Sequence, residues 1–143
     1  MNGFLLDTNI PSELILSRPS PKVVSWVSAQ DDTTLFLSAI TVGELRKGVA
    51  TMPVGRRRFQ LEEWLDTEIL PLFYRRVLPV TQTVAERWGV LSAQRKLAGR
   101  PLAMADGLIA ATALEHELCV VTRNVKDFVE LGVEIVNPWS SET

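Results

Sequence analysis

One carboxylate lies in a stretch of chain that otherwise carries no charge. Asp106 is the only charged residue between Pro101 and Leu114, among small and apolar side chains. The stretch predicts a helix buried nearly all round with Pro101 in its first turn, and a later start near Ala103 would put Asp106 at its N-terminus. A buried carboxylate is costly unless it is paired. Because the helix has no Lys or Arg, the partner must be a basic side chain from elsewhere, backbone donors at the helix start, or a metal ion.

Three further oxygen-bearing side chains lie next to predicted strands. Asp7 directly follows the first strand, Asn124 follows the fourth, and Glu44 lies in the early turns of the helix after the second. Each also has a purely structural interpretation. Asp7 could make an Asx turn, Asn124 could cap a helix, and Glu44 completes the capping-box pattern Thr41-Val-Gly-Glu. That pattern recurs at Thr83-Val-Ala-Glu, so the match is weak.

Short apolar runs, several with β-branched residues, alternate with helical segments along the chain, which predicts an α/β layer fold with a mostly parallel sheet of about five strands. The predicted strands are Phe4–Leu6, Leu35–Leu37, Val77–Val80, Cys119–Thr122 and Val133–Val136. The predicted helices cover Ile10–Ala29 with an interruption at Pro19–Pro21, Ser38–Thr51, Arg56–Ile69, Thr83–Leu97, the Asp106 segment and Asn124–Glu130. We expect one domain over residues 1–143.

This topology brings the four polar positions to one edge of the sheet. The carboxyl ends of parallel strands meet at that edge, and a helix returning antiparallel to the strands begins there. Several carboxylates at one edge repel each other unless a cation is present. Oxygen ligands without His or Cys suit Mg²⁺ or Mn²⁺, and the nearby helix N-termini favour a phosphate. The pattern therefore predicts metal-dependent phosphoryl chemistry.

The composition excludes several other chemistries. The chain has a single histidine, His116, and a single cysteine, Cys119. A histidine pair, a zinc site of the HExxH type and a disulfide framework are therefore impossible within one chain. A net charge of −2 gives no general sign of a nucleic-acid binder, so a polyanion site would have to be local. The first residues have no basic segment before a long apolar one, and the expected location is the cytoplasm without membrane contact.

Taken in order, five segments resemble the PIN-domain nucleases, most of all the VapC and FitB-type toxins of bacterial type II toxin–antitoxin pairs. The matching segments are Phe4–Asn9, Ser38–Gly48, Pro101–Ala113, Val121–Phe128 and Asn137–Trp139. The resemblance implies a PIN-like three-layer α/β/α fold and cleavage of RNA with Mg²⁺ or Mn²⁺. It also implies a small cognate antitoxin of the VapB or FitA kind, which often supplies an Arg to the site, and a homodimer.

The resemblance assigns roles to individual residues. Asp7, Glu44 and Asp106 are the implied metal-binding acids, and Asn124 falls on a fourth position where many relatives have Asp. Asp127 is a secondary candidate for that position. The implied supporting polar residues are Thr8, Asn9, Ser38 and Thr122. A metal-activated water would attack the phosphate in line, with Glu44 or Asp7 accepting its proton, and leave a 5′-phosphate and a 3′-hydroxyl.

Cationic residues beside the acids are candidates for phosphate contacts. Arg46 and Arg123 are possible RNA contacts, whereas Lys47 and the run Arg56–Arg58 are at least as typical of solvated surface. For the antitoxin, we expect an apolar groove beside the acids, formed by the Trp-bearing helices after Pro21 and after Arg56.

Two alternatives remain open at this point. In the first, the protein is a nuclease-inactive PIN-like binding module, which the amide at Asn124 favours. In the second, it is a Mg²⁺-dependent phosphoryl-transfer or receiver-type domain, which would need an aspartate phosphoacceptor after a central strand and a lysine after a later strand. Neither residue is evident in register. A dinucleotide-binding domain is disfavoured, because no GxGxxG follows the first strand.

Overall fold

A parallel five-stranded sheet organises the structure, a computed structural model that describes residues 2–140. The strands are β1 (Phe4–Leu6), β2 (Leu35–Ser38), β3 (Val77–Leu78), β4 (Cys119–Val121) and β5 (Ile135–Val136). Their order across the sheet is β3-β2-β1-β4-β5, and every neighbouring pair is parallel. The prediction of a five-stranded parallel sheet is confirmed, and β1 lies at its centre.

Helices connect the strands. The α-helices are α1 (Asn9–Leu14), α2 (Pro21–Ser28), α3 (Ala39–Ala50), α4 (Arg56–Trp64), α5 (Leu70–Leu72), α6 (Gln82–Leu97) and α7 (Met104–His116). A π-helical turn, Leu65–Ile69, joins α4 to α5, and 3₁₀ turns cover Asp32–Thr34 and Val125–Asp127. None of the helices in residues 2–140 is long and apolar enough to cross a membrane.

Two hydrophobic cores lie on the two faces of the sheet, because successive strand residues point to opposite sides. On β1, Leu6 packs into the core that also holds residues of α1 to α5, whereas its neighbour Leu5 packs into the core beneath α7. On β4, Val121 packs into the same core as Leu6, and Val120 packs into the same core as Leu5. Helices therefore cover both faces, which confirms the three-layer α/β/α prediction.

Several element boundaries differ from the prediction. The third strand ends at Leu78 rather than Val80, because Pro79 cannot donate to the next ladder hydrogen bond. The fifth begins only at Ile135. The segment Asn124–Glu130, predicted as a helix, forms only the 3₁₀ turn Val125–Asp127. The helix predicted to follow Thr83 begins at Gln82, with the Thr81 hydroxyl accepting from the N–H of Val84, so the chance match at Thr83 is not the helix cap.

The helix that carries Asp106 also differs from the prediction. It begins at Met104 with Ala103 at the N-cap, so Pro101 lies outside it and Asp106 lies in the first turn. Residues 107–113 are buried, but Met104 is 60% exposed. The prediction of a helix buried nearly all round therefore holds only for residues 107–113. The alternative of a later start, with Asp106 near the helix N-terminus, is confirmed.

Candidate active site

Asp7 leaves β1 at the carboxyl edge of the sheet and is 5% exposed. Its carboxylate accepts hydrogen bonds from the backbone N–H of Thr8 at 2.8 Å and from the Thr122 hydroxyl at 2.8 Å. The side-chain amide of Asn9 approaches the second oxygen at 3.4 Å. An Asx turn would use the backbone N–H of Asn9, whereas here the backbone donor is Thr8. Donors from two loops therefore fix the direction of the Asp7 carboxylate.

The Thr122 hydroxyl ties the loop after β4 to the loop after β1. Besides donating to Asp7, it accepts from the Asn9 amide at 3.3 Å and from the backbone N–H of Asn124 at 3.0 Å. The Asn9 side-chain oxygen accepts from the backbone N–H of Arg123 at 3.4 Å. Thr122 is fully buried, so its hydroxyl at the centre of this network is shielded from water. Thr8, Asn9 and Thr122 thus lie where supporting polar residues were predicted.

Glu44 reaches the same edge from α3. Its Oε1 accepts a 2.5 Å hydrogen bond from the Thr8 hydroxyl, which also lies 3.4 Å from the hydroxyl of Thr41. The helix is capped by Ser38, whose Oγ accepts from the N–H of Ile40 at 3.0 Å. Because Thr41 is buried inside the helix, the capping-box interpretation of Glu44 is wrong, and its carboxylate is left for the site.

Asp106 faces these acids from the first turn of α7. Burial, together with the charges of Asp7, Asp127 and Glu44, raises its pKa from 3.8 to about 6. Burial also raises the pKa of Asp7, against the hydrogen bonds from Thr122 and Thr8, and the charges of Glu44 and Asp127 act in the same direction. Four carboxylates from four segments therefore interact electrostatically at one edge of the sheet.

The fourth of these carboxylates belongs to Asp127, at the end of the 3₁₀ turn, and its charge acts on both Asp7 and Asp106. Asn124 precedes the turn at its N-cap and is exposed, and its side chain makes no capping hydrogen bond. The turn thus brings the charge of Asp127 to the cluster, although the sequence pattern had ranked Asn124 first.

The donor set fits a hard divalent cation. All four side chains offer carboxylate oxygens, and such oxygens are the ligands of Mg²⁺ and Mn²⁺. The raised pKa values of Asp7 and Asp106 mean that the ionised cluster is disfavoured until positive charge is supplied. Within residues 2–140, no three His, Cys, Asp or Glu side chains form a ready-made group that could hold a metal ion. The carboxylates lie close enough to interact electrostatically, but they are not arranged as a complete metal-binding site.

Two of the predicted cationic contacts have defined partners. The Arg46 guanidinium is ion-paired with Asp66 on the π-helical turn. The Arg123 guanidinium lies over the ring of Trp139, 5.3 Å from its centroid, and Arg123 is exposed directly after the buried Thr122. Cation–π contact leaves the edges of the guanidinium free for hydrogen bonds. The Arg123 guanidinium is therefore held by Trp139 with its donors available.

A groove of about 150 Å³ opens beside Glu44. Thr8 and Glu44 lie at its polar side, and its walls come from α1, α3 and α4. The residues that line it are Thr8, Ser12, Ile15, Glu44, Leu45, Gly48, Val49, Met52, Leu61 and Trp64. An apolar groove with a wall from the helix after Arg56 was predicted. The helix after Pro21 is not among its walls, because Trp26 packs edge-on against Phe4 at 5.0 Å instead.

Three contributors to the site were missed in the sequence. Thr41 lies three residues before Glu44 on the same helix face, a spacing that could have pointed to it. Asp66 gave no signal as the partner of Arg46, since 20 residues separate the two. Trp139 packs against the core beneath α1 to α5 and also supports Arg123, a role that the sequence did not indicate.

Comparison with known proteins agrees with this geometry. The family model described as PIN domain matches residues 4–133. The chain is 45% identical to VapC ribonuclease Y4jK of Sinorhizobium fredii, over 94% of this chain and 96% of that one. It is 43% identical to Toxin FitB of Neisseria gonorrhoeae, over 94% and 97%. The solved structure of FitAB bound to an IR36 DNA fragment superposes with a TM-score of 0.92 at 40% identity, covering 98% of each chain. Fold, ordered motifs and sequence identity together establish that this chain belongs to the PIN domain family.

Proposed function

We propose that this chain is a divalent-metal-dependent endoribonuclease and the toxin member of a toxin–antitoxin pair, acting in the cytoplasm. The observation that carries the proposal is the cluster of Asp7, Glu44, Asp106 and Asp127, whose charges act on one another. The four ion pairs within residues 2–140 all lie elsewhere, so none of these carboxylates is neutralised by a basic side chain. The names of the relatives, a VapC ribonuclease and a FitB toxin, support the same conclusion.

A bound Mg²⁺ or Mn²⁺ would lower the pKa of a water molecule and offset negative charge on the scissile phosphate. Asp7, Glu44 and Asp106 are the residues proposed to hold it. Asp127 is our choice over Asn124 for the fourth position, because its charge already acts on Asp7 and Asp106. The amide of Asn124 adds no charge, and its exposed position suits a contact with substrate.

The remaining polar residues orient the acids. Thr122 and the N–H of Thr8 hold the Asp7 carboxylate, and the Thr8 hydroxyl holds Glu44. A carboxylate that keeps one oxygen free can accept a proton from the attacking water, and we assign this role to Glu44, which is the exposed member of the cluster. Arg123, supported by Trp139, is proposed to contact the RNA backbone.

The groove beside Glu44 is the proposed seat of the antitoxin. Its apolar walls suit an amphipathic partner segment, and its polar end opens at Thr8 and Glu44. An Arg of that partner placed at the acids would compete with the metal for the same carboxylates. The likeness of this chain to the solved FitAB structure supports an antitoxin partner, and the groove as its seat is our own assignment. A homodimer stays a prediction, which light scattering of the purified chain tests.

The decisive experiment is RNA cleavage by the purified chain with and without divalent metal. We expect cleavage in Mg²⁺ or Mn²⁺, none in EDTA, and recovery when Mg²⁺ is added back in excess. The new ends should carry 5′-phosphates and 3′-hydroxyls. Glu115→Gln is the matched control, since Glu115 lies on α7 but is paired with Arg87. Full cleavage in EDTA after confirmed metal loss, or a 2′,3′-cyclic phosphate product, would refute the mechanism. Metal binding without cleavage of any RNA would favour the inactive binding module.

The antitoxin assignment is tested separately. The chain is co-expressed with the product of its neighbouring gene, purified as a complex, and assayed across a Mg²⁺ series. We expect a complex whose inhibition weakens as Mg²⁺ rises. The absence of a complex removes the antitoxin proposal, and inhibition that is indifferent to Mg²⁺ removes the competing Arg.

A further inference from the structure

Asp106 differs from the other acids in how its carboxylate is held. Asp7 accepts hydrogen bonds from three residues, and Glu44 accepts one from Thr8. Among the hydrogen bonds of residues 2–140, none reaches the carboxylate of Asp106. Its direction is therefore set by the backbone of the first turn of α7 and by whatever packs against that turn.

The ring of Trp88 packs against the next residue of that turn. A Cβ atom at Gly107 would lie 2.7 Å from Cδ1 and 3.0 Å from Nε1 of the Trp88 indole. It would also lie 2.9 Å from Cδ2 of Leu102, the far end of a flexible side chain that can rotate away. The indole is rigid, so only glycine lets α6 approach the first turn of α7 this closely.

Two features of this contact carry an energetic cost. Glycine is the poorest residue in a helix interior after proline, yet it occupies a buried position on α7. The Trp88 Nε1–H is buried and has no hydrogen-bond partner within residues 2–140, so packing alone holds the ring. An apolar ring would fill the space without leaving a donor unpaired. The buried glycine and the ring with the unpaired N–H both lie next to the turn that carries Asp106.

We propose that Trp88 is a positioning residue for Asp106: its indole, seated against Gly107, fixes the first turn of α7 and with it the direction of the Asp106 carboxylate. This inference rests on the proposed role of Asp106 in metal binding. Trp88 lies on α6, outside every segment that supplies an acid.

The experiment is a double-mutant cycle at the contact, read out as Mn²⁺ affinity by calorimetry and as cleavage rate. Gly107→Ala drives a methyl group into the indole, and we expect it to weaken Mn²⁺ affinity by about tenfold. Trp88→Leu removes the rigid ring, and we expect a smaller loss. In the double variant the new methyl group fits the space left by the ring, so Mn²⁺ affinity should return to within about threefold of the wild type.

Leu91→Ala is the control for stability alone. Leu91 lies one turn after Trp88 on α6 and packs against the core beneath α7, but it is absent from the contact at Gly107. It should lower the melting temperature and leave Mn²⁺ affinity unchanged. If Gly107→Ala fails to fold, the comparison is between Trp88→Leu and Leu91→Ala, and only the former should lose Mn²⁺ affinity.

The outcomes separate this inference from the proposed function. A wild type that binds no Mn²⁺ and cuts no RNA overturns the proposed function and the inference with it. A wild type that does both, with variants at 88 and 107 that lose only thermal stability, overturns the inference alone. A double variant no better than Gly107→Ala overturns it as well.

Discussion

Replacing Asp106 with Asn should have opposite effects on stability in the absence and presence of metal. The rise in the pKa of Asp106 from 3.8 to about 6 means that folding disfavours its ionised form. That rise corresponds to about 3 kcal/mol at neutral pH, and partial exposure to solvent reduces it to about 1–2 kcal/mol. Asp106→Asn removes the charge and nearly keeps the shape, so in EDTA at pH 7 it should raise the free energy of unfolding by that amount.

The pH dependence has a definite sign. Since the pKa is higher in the folded state than in the unfolded state, the folded protein binds more protons between pH 3.8 and about 6. The contribution of Asp106 to stability therefore falls as the pH rises through this window and stays low above it. The advantage of Asp106→Asn over the wild type should be full at pH 7 and vanish below about pH 4.

Bound metal should make the wild type more stable than Asp106→Asn. At a Mg²⁺ concentration about 100 times its dissociation constant, the wild type gains about 2.7 kcal/mol, and the variant should gain far less. Urea unfolding at pH 7 in EDTA and in Mg²⁺ measures both effects, with Glu115→Gln on the same helix as the control that responds to neither. A variant that is less stable than the wild type in EDTA, or equally stabilised by Mg²⁺, would refute this account of Asp106. RNA cleavage by the folded variant should be abolished.

Three other predictions concern the residues around Asp106. Asp127→Ala should weaken Mn²⁺ binding and lower the cleavage rate at least about tenfold. Asn124→Asp should strengthen metal binding at low Mg²⁺ and lower the stability of the metal-free protein, because it adds repulsion between carboxylates. If Asn124→Asp strengthens metal binding and Asp127→Ala changes nothing, the fourth position belongs to Asn124. Thr122→Val removes a hydrogen bond that lowers the pKa of Asp7, so the acidic limb of the pH–rate profile should move to higher pH; an unmoved limb would contradict the role of Thr122. Arg123→Gln should raise KM for RNA about three- to tenfold, make KM less dependent on salt concentration and leave kcat nearly unchanged. If KM and its salt dependence do not change, Arg123 is not a phosphate contact.

The sheet and its edge could be predicted because they depend on local signals. Short apolar runs mark β1, β2 and β4, and parallel pairing then brings the ends of these strands together. Pro79 marks the end of β3, whereas the start of β5 depends on its pairing with β4, which no local pattern records. The start of α7 was ambiguous for a related reason. From Pro101 to Ala105 every residue is apolar, so no alternation marks where burial begins.

The details of the site depend on contacts between distant segments, and the sequence could not supply them. Arg46 and Asp66 meet only because the π-helical turn returns beside α3. The 3₁₀ turn, shorter than the predicted helix, decides that Asp127 acts on the cluster while Asn124 is exposed. Trp88 and Gly107 come from two separate helices, α6 and α7. The close approach of the Trp88 indole to Gly107, which leaves no room for a Cβ atom, exists only once those helices have packed.

The carboxylates of Asp7 and Asp106 are oriented in different ways: Asp7 by several hydrogen bonds, and Asp106 only by the backbone of its helix. Asp7 is buried, and the donors around it lower its pKa against the effect of burial. Asp106 has no such donors within residues 2–140, so burial and the neighbouring charges act on it unopposed. The protein therefore carries an electrostatic cost at Asp106 that a cation would remove. Metal binding should be coupled to stability through Asp106 more than through Asp7, and the packing that directs Asp106 should influence affinity without touching the metal.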